Sequence, residues 1–121
     1  RTILASVALF LLASSKITID PQTRTFRDKD GRSRIFHGHN AVVKLSPYIP
    51  SSESFDPQMS ISDKDLADLK EWGVTLMRLG VIWESVERQP GVFDLEFLDE
   101  VEALVNKMGQ HGIYTMIDAH Q

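Results

Sequence analysis

The 121 residues amount to one small domain, and 42% hydrophobic with 25% charged residues is the balance of a folded globular protein, not a disordered one. A net charge of -4, with no clustering of Lys and Arg, excludes the electrostatic footprint of a DNA or RNA binder, so no nucleic acid is expected as a partner. The absence of cysteine removes disulfides, thiolate nucleophiles and Cys-type zinc sites.

At the start of the chain, Arg1 stands just before the apolar stretch ILASVALFLLA, which has the length of a signal-peptide core and is too short for a bilayer span of about 20 residues. Residues 1–15 are therefore expected to be a secretory signal, with Ala13 and Ser15 suited to the positions before a cleavage ahead of Lys16. Such a signal implies a secreted, lumenal or lysosomal protein. The plainer alternative is a buried N-terminal strand or helix. The first residue is not methionine, so an earlier start is expected. No Asn-x-Ser/Thr acceptor follows to support glycosylation.

From Ile17 to Arg34 two short strand-like runs flank RDKDGR, whose Asp30-Gly31 pair fits a hairpin turn. RIFHGHNAVV reads as one strand, followed by the long loop KLSPYIPSSESFDPQM; loops of this length in compact domains are usually functional. In ISDKDLADLKEWG, Ser62 is placed as an N-cap with Asp65 as its box partner, Ile61 can staple onto Leu66, and Gly73 ends the helix. VTLMRLG is a nearly continuous apolar run, the signature of a strand buried on both faces in a parallel sheet. A second loop, VIWESVERQPG, leads to Asp94 as N-cap, with Phe93 and Leu98 placed for another staple. Phe97, Val101, Leu104, Val105 and Met108 then recur at helical spacing, opposite Glu96, Glu100, Lys107 and Gln110. Gly112 stops that helix, and IYTMIDAH is the next strand.

The predicted fold is thus α/β: a leading hairpin, then strand, helix, strand, helix, strand, with short joints after the helices and long ones after the strands. In such proteins the loops at the carboxyl ends of the strands hold the site. Three strands with two crossover helices fit either half of a doubly wound sheet or three-eighths of a (β/α)8 barrel.

The polar residues fall at that edge: Asn40 and Lys44 after the first strand, Arg78 near the end of the second, Asp118 and His120 at the end of the third. The period of two puts Asp118 and His120 on one face. Arg78, inside an apolar strand, must find an anionic or hydrogen-bonding partner. Plainer readings stand beside these: a structural salt bridge for Arg78, a satisfied core histidine for His120, a structural acceptor for Asp118 and a solvated loop lysine for Lys44. His37 and His39 resemble a metal-binding pair of amidohydrolase barrels, but alternation points both away from Asn40's face. No GxGxxG or GxxxxGK[ST] follows any strand. Glu84 and Glu87, three apart beside a proline, read as a solvated pair or a loop anchor rather than an acid and base.

Three blocks, FRDKDGRSRIFHGHNAVVK, WGVTLMRLGVIWESVERQPGVFDLEFLDEV and HGIYTMIDAHQ, resemble in order and spacing the start of glycoside hydrolase family 5, most of all its endoglycoceramidase branch. The resemblance covers about four-fifths of the chain. It implies a (β/α)8 barrel and a glycosidase: retaining hydrolysis of O-glycosidic bonds, for this branch the oligosaccharide–ceramide linkage of glycosphingolipids. Implied partners are a glycolipid or oligosaccharide substrate and a membrane surface; no metal or other cofactor is implied. Residues 16–121 become the N-terminal, truncated portion of the barrel. Arg78 matches the arginine that supports the nucleophilic glutamate, and His120 the histidine that donates to a sugar hydroxyl beside the scissile bond. Lys44 matches a lysine reaching the same sugar, Asn40 the strand-one asparagine, and Trp83 a residue of the cleft. Both catalytic glutamates of the family lie on later strands, so none is expected within the chain and the fragment alone is expected to be inactive. The sequence departs from the family at HGHN, where RGVN is commoner, and at DAH, where DMH is usual. The alternatives are a family 5 β-glucanase or glucosidase, a catalytically dead carbohydrate- or lipid-binding protein, and a metal-dependent amidohydrolase barrel.

Overall fold

A computed structural model describes residues 17–121; the expected signal peptide lies outside them. The described residues divide into two compact units, 17–35 and 36–121. In the first, β1 (Thr18–Ile19), β2 (Phe26–Arg27) and β3 (Ser33–Arg34) make an antiparallel sheet in the order β1-β2-β3. The hairpin expected around Asp30-Gly31 is present, with Gly31 at φ 74°. The first run contributes a further strand, because Asp20 turns the chain between β1 and β2 by accepting the Gln22 and Thr23 amides at 2.9 and 3.0 Å. Asp28 ties the second turn, accepting the amides of Asp30 and Arg32, each at 3.0 Å, and the Arg32 Nε at 2.9 Å.

The second unit carries the α/β pattern. Strands β4 (Gly38–Val42), β5 (Leu76–Ile82) and β6 (Tyr114–His120) form a parallel sheet in that order, with α1 (Asp63–Glu71) between the first two and α2 (Trp83–Val86) and α3 (Leu95–Gln110) between the last two. Three boundaries differ from expectation. RIFHGHNAVV is not one strand: pairing stops at Arg34 and resumes at Gly38, and Ile35 between them is 94% exposed. Strand β5 runs on through Val81 and Ile82, which pair with Ala119 and His120, so Arg78 is mid-strand and not near its end. The loop that follows opens with the single helical turn α2, held by the Ser85 hydroxyl donating to the Ile82 carbonyl at 2.6 Å.

Both long helices start where their caps dictate. Ser62 and Asp65 form a reciprocal capping box, and Ile61 and Leu66 are both buried in the same core. Asp94 accepts the Phe97 amide at 3.0 Å, although Phe93 stays 57% exposed instead of covering the helix start. Gly73 and Gly112 adopt φ 81° and 76°, the left-handed exits that glycine takes without steric cost. Leu66 from α1, Met77 and Leu79 from β5, and Phe97, Val101, Leu104 and Met108 from α3 make the core. Lys107, expected on the solvent side, turns back instead: its Nζ donates to the Ser52 carbonyl at 2.5 Å and pairs with Asp63 at 3.2 Å.

Candidate active site

Alternation divides the sheet into two functions. Met77 and Leu79, with Ala41 beside them, face the helices and the core. The opposite face presents Asn40, Arg78, Asp118 and His120, and the cross-strand register explains their meeting. Asn40 pairs with Arg78 and Arg78 with Met116, while Gly80 pairs with Asp118 and Ile82 with His120. Gly80, the next same-face residue of β5, adds no side chain of its own between Arg78 and Asp118, and Nη2 lies 2.6 Å from Asp118 Oδ2. Its Nη1 is 3.5 Å from Asn40 Oδ1, the long limit of a hydrogen bond. His120 Nδ1 lies 2.8 Å from the same Asp118 oxygen. The four side chains are thereby linked in one line across three strands.

These groups are half-exposed, with Arg78 at 36% and Asp118 and His120 each at 23% of side-chain surface. The partner that an arginine in an apolar strand requires is Asp118. A hollow of about 280 Å³ is lined by Gly38, His39, Asn40, Leu76, Arg78 and Met116. A second, of about 420 Å³, is lined by Lys44, Ile82, Trp83, Glu84 and Gln121 at the carboxyl end of the strands. Lys44 and Trp83 thus share a hollow separate from the one that Arg78 lines, and Trp83 is 58% exposed. A larger hollow of about 510 Å³ includes the helix-side residues Val43, Leu69 and Met77 and does not include Arg78, Asp118 or His120. Asn40 lines both this hollow and the one that Arg78 lines, while Asp118 and His120 line none of the three.

Other expected features sort themselves. Glu87 anchors its own loop by accepting the Gly91 amide at 2.5 Å, while Glu84 faces the Lys44 hollow. The rings of His37 and His39 are 6.2 Å apart. Among the described residues no group of three or more His, Cys, Asp or Glu side chains is arranged to hold a metal ion, and no helix is long and apolar enough to cross a membrane. Asp118, which the sequence reads as a structural acceptor of backbone or Arg hydrogen bonds, does pair with Arg78, and it also meets His120 through the same oxygen. The sequence signals for it are its period-two spacing from His120 and the need of Arg78 for an anionic partner.

Residues 40–121 match the family model for Cellulase (glycosyl hydrolase family 5). The chain is 38% identical over 109 residues to an endoglycoceramidase of Cyanea nozakii, covering 90% of this chain and 22% of that protein. Among solved structures, endo-glycoceramidase II from Rhodococcus sp. in complex with ganglioside GM3 superposes with a TM-score of 0.56 at 35% identity, covering 78% of this chain and 20% of that one. Cryptococcus neoformans sterylglucosidase 1 superposes with a TM-score of 0.63 at 29% identity, covering 80% and 16%. The chain belongs to glycosyl hydrolase family 5. It spans about a fifth of the length of the relatives it matches.

Proposed function

We propose that residues 16–121 are the N-terminal portion of the (β/α)8 barrel of a retaining glycoside hydrolase, secreted or lumenal by way of a signal peptide at 1–15, whose substrate is the oligosaccharide–ceramide linkage of glycosphingolipids. The observation that carries this reading is the Arg78 guanidinium, set on the open face of a parallel sheet between Asn40 and Asp118 with further N–H donors to spare. Retaining hydrolysis uses a carboxylate that attacks the anomeric carbon and a carboxylic acid that protonates the departing oxygen; water then releases the sugar. Both carboxyl groups belong to strands beyond residue 121. A guanidinium beside the nucleophile keeps it ionised and aimed, and its charge-assisted hydrogen bonds are about twice as strong as neutral ones. In this scheme Arg78 supports the nucleophile and Asn40 steadies Arg78. His120 and Lys44 bind sugar hydroxyls, and Trp83 offers an aromatic face to the substrate.

Support for a glycolipid comes from the relatives named endoglycoceramidase and from the hollow that Lys44 and the exposed Trp83 both line. A substrate of that kind is presented at a membrane surface. The likeness to a sterylglucosidase favours, as a second reading, hydrolysis of a simpler glucoside. Assaying the full-length protein on a fluorescent ganglioside, a short aryl glucoside and cellulose decides between them. Release of the oligosaccharide from the ganglioside is expected; cleavage of cellulose alone, or of the aryl glucoside alone, overturns the glycolipid assignment.

A further inference from the structure

One oxygen of Asp118, Oδ2, takes two contacts, from Arg78 Nη2 at 2.6 Å and from His120 Nδ1 at 2.8 Å. An ionised carboxylate only accepts, so in this contact His120 Nδ1 carries the proton. In the neutral ring Nε2 then has a lone pair and no hydrogen. The register brings Asp118 within reach of both partners, because it lies opposite Gly80, one same-face position beyond Arg78's partner Met116 and one short of His120. The carboxylate therefore spans two levels of the sheet, opposite a residue that has no side chain.

We propose that Asp118 is a positioning residue that holds His120 in its Nδ1–H tautomer, so that Nε2 accepts a hydrogen bond from a sugar hydroxyl, while the same oxygen fixes Arg78 in step with it. This rests on the reading of His120 as a sugar contact and reverses the direction of the bond that the family resemblance implies for it. With Nδ1 committed, Nε2 donates only when the ring is doubly protonated; the neutral ring accepts, and every sugar hydroxyl supplies a hydrogen. The arrangement is the organic counterpart of the carboxylate–histidine pairs that orient metal-bound imidazoles.

The test uses the full-length protein labelled with ¹⁵N in its histidine rings, with the His120 signals assigned by their loss in His120→Gln. The unmodified protein is expected to show a protonated Nδ1 and a bare Nε2. In Asp118→Asn, where the amide no longer requires a donor at Nδ1, mixed tautomers are expected together with a fall of roughly tenfold in kcat/KM on a fluorescent ganglioside, the equivalent of one misaligned hydrogen bond. A neutral ring with its proton on Nε2 in the unmodified protein overturns the proposal whatever Asp118→Asn does. An Asp118→Asn protein with unchanged tautomer and unchanged kcat/KM also overturns it. If the Nδ1–H ring is found and no glycolipid is cleaved, the role of Asp118 in setting the tautomer is upheld and the substrate reading falls.

Discussion

Arg78 has five N–H donors on a planar fork and, among the described residues, one close anionic partner, Asp118. The remaining donors are what it brings to a second carboxylate. Replacing Arg78 by Ala in the full-length enzyme is expected to lower kcat/KM on a fluorescent ganglioside by roughly 10- to 100-fold, the cost of a hydrogen bond to a charged group. Arg78→Lys should recover little of it, because a point ammonium cannot serve Asp118 and a nucleophile with the fork's geometry. Equal activity of Arg78→Lys and the unmodified enzyme would remove the support role. Gly80 is the quieter partner. A Cβ there would lie 2.7 Å from Val42 Cγ2, and the stiff χ1 of valine yields poorly. Gly80→Ala should cost about 1–3 kcal/mol of stability, read as a lower urea midpoint.

At the scale of elements, α1 owes its start to Ser62 and Asp65. Burial pushes the Asp65 carboxyl up, but hydrogen bonds from the Ser60 and Ser62 hydroxyls and the Ser62 amide outweigh it, and the group is held below the usual carboxylate range. A carboxyl with its folded value depressed contributes stability that is complete above its unfolded value, about 3.9, and is lost as pH falls through the lower folded value. Amide exchange in the first turn of α1 should therefore be insensitive to pH-dependent opening near neutrality and show loosening only below about pH 4. Ser62→Ala should cost about 1 kcal/mol, and a denaturation midpoint identical to that of the unmodified protein would show the box to be idle. These caps are legible in the sequence because they are local: Ser62, Asp65, Gly73, Asp94 and Gly112 act within a few residues of themselves. The break at residues 35–37 and the helical turn at 83–86 are not, since continuous apolar or mixed runs carry no local signal for where cross-strand pairing stops. Lys107 departs from its expected place for the same reason. Helical spacing puts it on the polar side, and only tertiary structure brings Ser52 and Asp63 to meet it there.

On the scale of the whole molecule, the parallel order of the strands is legible from hydrophobic runs and loop lengths, and so is the common sheet edge of Asn40, Arg78, Asp118 and His120, while the face that Asn40 and Arg78 share with the other two is not. The hub position of Asp118 depends on register, which no single strand encodes. Among the described residues β4 and β6 each pair on one side only, and Met116 and Ile117 on β6 are 46% and 53% exposed. Unpaired strand edges beside apolar surface invite association. The 121-residue polypeptide on its own should self-associate and hydrolyse no glycoside; a monomeric, exchange-protected species in size-exclusion and hydrogen-exchange measurements would contradict this. The alignment of the sheet itself turns on Gly38, where an added methyl would overlap the carbonyl oxygen of Leu76. Only the smallest residue lets the first parallel strand sit this close to the second. A slide of one residue would bring His39 into that slot, which cannot admit it, and would turn Asn40 toward the helices. The glycine thus acts as a key that holds β4 in its alignment on β5, and the meeting of the Asn40 amide with the Arg78 guanidinium is inherited from that prohibition.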